Sequence, residues 1–437
     1  MKLNKILAFA GLLLGAATVR EASRAYAQGG VPFCADLPNS SNQIYMGGTT
    51  AVIPVIRLMG ARLKQVGVTL LWNENSDGCG TATTMGTQST GSVRTTFSQY
   101  TEDTLQEGKV YVTNCLGDVS RPIDLAINDV SVASCSSGIA TTTLPTGFAE
   151  FQGPVQGLVP VVPISNTFLN EITTDELQGL YVCGAKFGFL NFNSDDFIYD
   201  YNCVGSGMRQ LWARGIGLGN ADGLSRLIGL GCNSTISADS MVTGYVGPST
   251  SPGSTIGYTS TEYYDEYRSL VKALKVRGVN QLKAYLPDTD ITSVDKINIR
   301  EGRYTLQNTL KLITAVDVNG VPTNPVVKKL IDWFQDNPGQ DKLPFDVNDI
   351  YASRGVVPLC AMRVTKATDY PVFKRYKHPS PCHCAFQKKA TGKSTIPGCV
   401  PCGDAGVDGG VDGGVDGGAA GICPTGSICS HGFCEQL

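Results

Sequence analysis

Fifteen cysteines in 437 residues limit what this chain can be more sharply than any other feature of it. In an oxidising compartment they become bridges, and in a reducing one they serve as metal ligands or reactive thiols. The N-terminus decides between the two. Lys2 and Lys5 form a positive head, residues 6–19 are an apolar stretch too short to span a bilayer, and Ala25-Tyr26-Ala27 has the small-x-small form of a cleavage site. A buried N-terminal helix would be amphipathic, whereas this stretch is apolar all round. Residues 1–27 therefore read as a signal peptide, with no lipid-anchoring cysteine after it and a mature chain starting near Gln28. No later segment has eighteen uninterrupted apolar residues, so the expectation is an exported chain that does not cross a membrane, in the periplasm, on the cell surface or secreted.

The cysteines are unevenly spread: seven lie in the first 232 residues, none in 233–359, and eight in 360–434. Cys382-His383-Cys384 with Cys399-x-x-Cys402 supplies four thiolates at zinc-ligand spacing. After export, disulfides are the expected outcome, so no metal is assigned. Because fifteen is odd, at least one thiol must stay free or pair between chains. Residues 403–421 repeat the unit GVDG three times and hold nine glycines, a flexible, mildly acidic linker. A calcium-binding β-roll would need a nine-residue repeat with an apolar position, which is absent. Beyond the linker, Cys423, Cys429 and Cys434 suggest a separate short knot in 422–437.

Between these ends, short apolar runs alternate with helical patterns. Residues 68–72, 110–114, 123–128 and 158–163 have the length and Val/Ile/Leu content of strands. Val52, Ile56, Met59, Leu63 and Val66 mark one helical face, with Pro54 in the first turn. Thr173 and Glu176 form a capping box ahead of a helix over 177–181. Helices are also expected over 263–276 and over 327–334, the latter opened by Asn324-Pro325. The alternation predicts an α/β protein with largely parallel sheets.

Composition narrows function by exclusion. With 35 basic against 38 acidic residues there is no basic excess for nucleic acid. The three histidines, His378, His383 and His431, all lie in the last sixty residues, which excludes a histidine-based catalytic engine built within the first 377. Three glycine- and hydroxyl-rich turns precede helices: Gly47-Gly48-Thr49-Thr50, residues 75–81 (NSDGCGT), and Gly205-Ser206-Gly207. Such turns present free N–H groups and hydroxyls to an anion, although each alone is common loop chemistry. Gly215-Ile216-Gly217-Leu218-Gly219 lacks the spacing and the preceding strand of a dinucleotide loop.

Taken in order, IYMGGTTAVIP, PIDLAINDVSVASC, GPVQGLVPVVP, ITTDELQGLYVCG, GSGMRQ and GSTIGYTS resemble the phosphate-type periplasmic substrate-binding proteins of ABC transporters. The likeness runs from about residue 43 to 315. YLPDTDITSVDKINIREGRY, VVPLCAMRV and the cysteine-rich end extend it towards a secreted, cysteine-rich branch of that family. The resemblance implies a two-lobe periplasmic-binding-protein-like α/β fold (type II) with hinge crossovers, plus a C-terminal cysteine-rich tail. It implies lobes at 28–140 and 141–260, a return to the first lobe over 261–359 and a cysteine-rich extension over 360–402. It also implies a small oxyanion or polar solute as ligand, and an ABC permease or a surface partner. No cofactor is implied.

Carried over position by position, Thr50 and the Ala51 N–H would be ligand donors, Asp129 the carboxylate receiving a ligand proton, and Ser206 and Gly207 donors from the third turn. Ser76 or Thr81 would contribute from the second. Two positions depart from the family pattern: Asn202 stands where an arginine is expected and Met208 where a threonine is expected. The site thereby loses its cation and keeps its carboxylate. The expected function is a non-catalytic solute-binding protein that binds phosphate weakly or not at all. A vestigial cleft on a surface interaction protein, and a phosphatase-like hydrolase using Ser206 or Thr50, are the alternatives.

Overall fold

The computed structural model describes residues 31–37, 42–73, 76–85, 95–118, 121–135, 143–202, 205–224, 230–231, 237–337, 343–402 and 423–436. Residues 1–27, expected to be a signal peptide, the expected linker over 403–421, Cys203 and Cys232 lie outside the described residues.

The first lobe grows from β1 (Gln43–Gly48), buried along nearly its whole length. A short turn leads into α1 (Ile53–Lys64), which tolerates Pro54 because no intrahelical N–H bond is due there. Val52, Ile56, Met59 and Leu63 face the core as their spacing predicts, whereas Val66 falls beyond the helix end and is exposed. The crossover returns β2 (Thr69–Asn73) parallel to β1. α2 (Gly78–Thr84), β3 (Thr96–Glu102), β4 (Val110–Leu116) and β5 (Leu125–Asn128) follow, with β5 parallel to β1 on its other side.

The sheet is otherwise antiparallel, contrary to the expected parallel pattern. β3 pairs antiparallel with β2, and also with β4, to which a short connection rather than a helix joins it. β6 (Phe148–Pro163) is a single strand of 16 residues, roughly 50 Å at strand rise. Its first part pairs with a later strand in the first lobe, and its last part with two strands of the second. One covalently continuous strand thus belongs to both lobes.

The second lobe adds β7 (Glu171–Thr173) and α3 (Thr174–Cys183), opened by the capping box that Thr173 and Glu176 predict. Then come β8 (Tyr201–Asn202), α4 (Gly207–Gly215), β9 (Leu230–Gly231) and β10 (Gly257–Ser260). The helix expected over 263–276 is instead α5 (Thr261–Glu266) followed by β11 (Val271–Ala273) and β12 (Lys275–Arg277). Val271, Ala273 and Val276 are buried while Lys275 and Arg277 are exposed, so alternation replaces the helical period after Glu266. Trp212 stacks on Tyr258 at 4.2 Å, with Tyr181 edge-on to both. β13 (Gln307–Ala315) returns to the first lobe between β5 and β6. This is the two-lobe α/β arrangement with strand crossings that the resemblance implies.

The rest of the chain packs on this body. α6 (Pro325–Gln335) starts where Asn324 accepts hydrogen bonds from the Val326 and Val327 N–H groups. α7 (Val347–Ser353), the hairpin β14 (Val364–Lys366) and β15 (Phe373–Arg375), α8 (His383–Thr391) and the hairpin β16 (Ser427–Ser430) and β17 (Phe433–Gln436) complete it. Disulfides join Cys34–Cys115, Cys79–Cys135, Cys360–Cys382, Cys384–Cys399, Cys402–Cys429 and Cys423–Cys434. The four thiols with zinc spacing are split among three of these bridges. Cys183 is unpaired and exposed. The final segment is not a separate knot: Cys402–Cys429 ties it to the extension, and buried Glu435 accepts a 2.6 Å hydrogen bond from the Cys384 N–H at the start of α8.

Candidate functional site

The three turns converge at the junction of the lobes, and each is capped by its own side chain. In the first, Thr49 is buried and its hydroxyl accepts from the Ala51 N–H at 3.3 Å, so the cap is Thr49 while Thr50 sits half-buried beside it. In the second, Ser76 is hydrogen-bonded within the protein. Its hydroxyl accepts from Gly48 N–H at 2.8 Å and donates to the Asn73 carbonyl at 2.6 Å, pinning the end of β1. Asp77 caps α2 by accepting from Gly80 N–H at 2.6 Å. In the third, Ser206 accepts from Arg209 N–H at 3.2 Å and starts α4.

The second and third turns touch directly. Cys79 N–H donates to the Gly205 carbonyl at 2.9 Å, and a Cβ on Gly205 would run into an Asp77 carboxylate oxygen. A Cβ on Gly207 would run into Asn128 Oδ1 and fall 2.6 Å from Asp129 Oδ2. Only glycine permits this approach, and it brings the first residue of α4 against the Asp129 carboxylate. A carboxylate there lies at the helix end that favours negative charge.

Asp129 is 1% exposed, and neither of its oxygens reaches a partner at hydrogen-bonding geometry. Burial pushes its carboxyl up to about 7, with the Thr49 and Gln156 side chains opposing the rise. Around it lie further buried polar atoms without partners: both amide atoms of Gln156, the Ser260 hydroxyl and one Glu262 oxygen. Burial raises the Glu262 carboxyl well above the usual range, and the Asp129 charge adds to the rise. Unsatisfied buried groups in such number are costly in an apolar interior. This cluster can donate or accept hydrogen bonds to a polar solute, and the Asp129 carboxyl can exchange a proton near neutral pH.

The charge nearest the third turn in sequence is committed to another partner. Arg209 donates from Nε to Asp200 Oδ2 at 2.8 Å in a buried pair, and Tyr258 donates to the other Asp200 oxygen at 2.6 Å. Asn202 lies in the short β8–β9 parallel pair, opposite Gly231. Met208 is buried in the core. Thus the structure brings Asp129 and Gly207 together and sets Ser76 to a structural task.

Sequence reading missed Thr49, Gln156, Asp200, Ser260 and Glu262. Gln156 carries a usable signal, being a lone amide inside the apolar run of residues 154–163. Nothing local marks Asp200 or Glu262. The structure also gathers Asp336, Ser380 and His431, distant in sequence. Both Asp336 Oδ2 and Ser380 Oγ meet the same nitrogen, His431 Nε2, at 3.4 Å. A relay needs the two ring nitrogens to serve different partners, so this trio is not a nucleophile–base–acid chain.

The chain matches no family model and no curated protein. Among solved structures it is similar to a protein from Clostridium perfringens assigned as a phosphate ABC transporter substrate-binding protein, with phosphate bound. That likeness has 15% identity and a TM-score of 0.44, covering 72% of this chain and 99% of that one. It is similar to an ABC-type phosphate transport receptor from Vibrio cholerae, with 13% identity and a TM-score of 0.42, over 72% of this chain and all of the other. It is also similar to OxyR from Pseudomonas aeruginosa, with 10% identity and a TM-score of 0.35, over 75% and 78% of the two chains. What those proteins bind is a property of those proteins. Among the described residues, no helix is long and apolar enough to cross a membrane.

Proposed function

We propose that this chain is an exported solute-binding protein whose lobes meet on a polar ligand at Asp129, with a site altered so that phosphate binds weakly or not at all. The Asp129 carboxylate is the supporting observation: buried, unpartnered, and set against the start of α4. A fully ionised oxyanion placed there would meet a carboxylate, while Arg209 is committed to Asp200. Losing one partner of a buried charge pair typically costs ~2–5 kcal/mol, roughly 30- to several-thousand-fold in affinity. A hydroxyl-bearing, weakly charged solute meets no such penalty, since it can exchange hydrogen bonds with Asp129, Gln156 and Ser260.

Export follows from the N-terminal leader pattern, with a permease or a surface protein as partner. Catalysis is not part of the proposal, because Ser206 serves as a helix cap and every histidine lies beyond residue 377. The contact of Gly205 and Gly207 with Cys79 and Asp129 favours one second reading, a cleft retained as scaffold only.

Isothermal titration of the mature chain with phosphate at neutral pH tests the proposal, with no binding tighter than about millimolar expected. Sub-micromolar affinity abolished by Asp129→Ala would refute it. A thermal-shift screen of polyols and sugars, with Asp129→Ala as control, separates the solute-binding reading from the scaffold.

A further inference from the structure

We propose that the disulfide-closed segment Cys360–Cys382 is a strap that clasps both lobes and holds them shut over Asp129. The inference rests on the reading of the Asp129 cleft as the ligand site, and adds a means of controlling access to it.

The strap is rooted on the strand shared by the lobes. Val155 of β6 and Val357 exchange backbone hydrogen bonds at 2.7 and 2.9 Å, and the Cys360–Cys382 bridge closes the loop just beyond. From that root the β14–β15 hairpin projects, with Val364 opposite Arg375 and Lys366 opposite Phe373. Lys366 secures it to the first lobe by donating to the Gln307 carbonyl at 2.7 Å.

The hairpin tip carries two adjacent residues with opposite attachments. Asp369, almost fully buried, accepts from Ser131 N–H at 3.0 Å and from Asn308 Nδ2 at 2.7 Å. Asn308 Nδ2 also donates to the Asp129 backbone carbonyl at 2.8 Å, so Asp369 grips the first-lobe segment that carries the ligand carboxylate. Tyr370 reaches the other way. Its hydroxyl donates to the Gly219 carbonyl at 3.2 Å, and the Arg214 guanidinium lies 5.8 Å from its ring centre. Arg214 belongs to α4, whose first residue abuts Asp129.

Successive Cα atoms are fixed at about 3.8 Å, so the lobes cannot part at this edge without releasing Asp369 or Tyr370. Hydrogen bonds to a charged acceptor are roughly twice as strong as neutral ones, and Asp369 makes its bonds away from solvent. Tyr370 is 42% exposed and holds one neutral hydrogen bond and a cation–π contact. Asp369 is therefore the anchor and Tyr370 the releasable clasp.

Hydrogen exchange of the full mature chain, with disulfides intact and no ligand added, tests the strap. In Tyr370→Ala the backbone amides of residues 128–132 and 207–210 should exchange roughly ten-fold faster, the combined effect of a hydrogen bond and a cation–π contact, while β3 and β4 stay unchanged. Tyr370→Phe, which keeps the ring, should give an intermediate change of roughly three-fold. Unchanged exchange at those two segments, or equal acceleration in β3 and β4, overturns the strap. Since no ligand enters the measurement, its failure counts against the strap alone, and the phosphate and polyol titrations judge the Asp129 site separately.

Discussion

Replacing Asp129 with asparagine should alter the pH dependence of stability in a calculable way. The carboxyl ionises at about 7 in the folded chain against an ordinary 3.8, chiefly because it is buried. Between those values the folded state holds a proton that the unfolded chain has released. The burial penalty is therefore absent below about pH 4, grows as pH rises, and is complete above about pH 7. Integrated from pH 4 to pH 8, a rise of that size amounts to about 4 kcal/mol of lost stability. The asparagine side chain cannot ionise, so the difference between the Asp129→Asn variant and the natural chain should shift in the variant's favour by that amount across the window. Any constant cost of burying the amide cancels in the comparison across pH. Burial also raises the carboxyls of Asp77, Glu262 and Glu266, and these contribute to the slope of both proteins. Relief of Glu262 by removing the Asp129 charge would act in the same direction. Urea unfolding with disulfides intact, at pH 4, 5, 6, 7 and 8, gives the difference curve. A curve flat to within about 1 kcal/mol would show that Asp129 is solvated or paired, and the account of the site would fail with it.

Asp200→Asn should lower the melting temperature sharply, since leaving Arg209 buried and unpaired costs about 3–5 kcal/mol. Adding Arg209→Met should recover part of that loss, and an unchanged melting temperature in the single variant counts against the pair. With a protease site introduced into 403–422, cleavage should leave residues 423–436 attached on a denaturing, non-reducing gel, because Cys402–Cys429 spans the cut. The Cys402→Ser/Cys429→Ser variant should release the fragment, and release from the natural chain would disprove that pairing. Native alkylation followed by peptide mapping should label Cys183 and none of the bridged cysteines. Protection of Cys183 would disprove that it is a free thiol.

What could be read without coordinates was what lies within a few residues. The Thr173–Glu176 capping box, the start of α6 at Asn324-Pro325, the helical face of α1 and the position of Asp129 just past β5 all follow from spacings of four residues or fewer. Those signals act through bonds and contacts made inside one turn or strand, so each segment carries its own evidence. The direction of strand pairing is different. Residues of β6 and β13 look alike whether their neighbours run parallel or antiparallel, since side-chain alternation has the same period in both. The expected parallel sheet failed there, and the helix over 263–276 failed where alternation took over at Val271.

The site divides along the same line. The sequence by itself determined that an acid stands at the end of β5 and that glycine and serine open α4. It could not determine that Arg209 turns to Asp200, that Ser76 holds the end of β1, or that Gln156, Ser260 and Glu262 lie buried without partners for some of their polar atoms. Those facts depend on how two lobes close and which side chains are left without water. The protonation of Asp129 is set by everything packed around it: burial raises its carboxyl while the side chains of residues 49 and 156 oppose the rise, and its charge acts in turn on residue 262, positions that only the tertiary structure brings together.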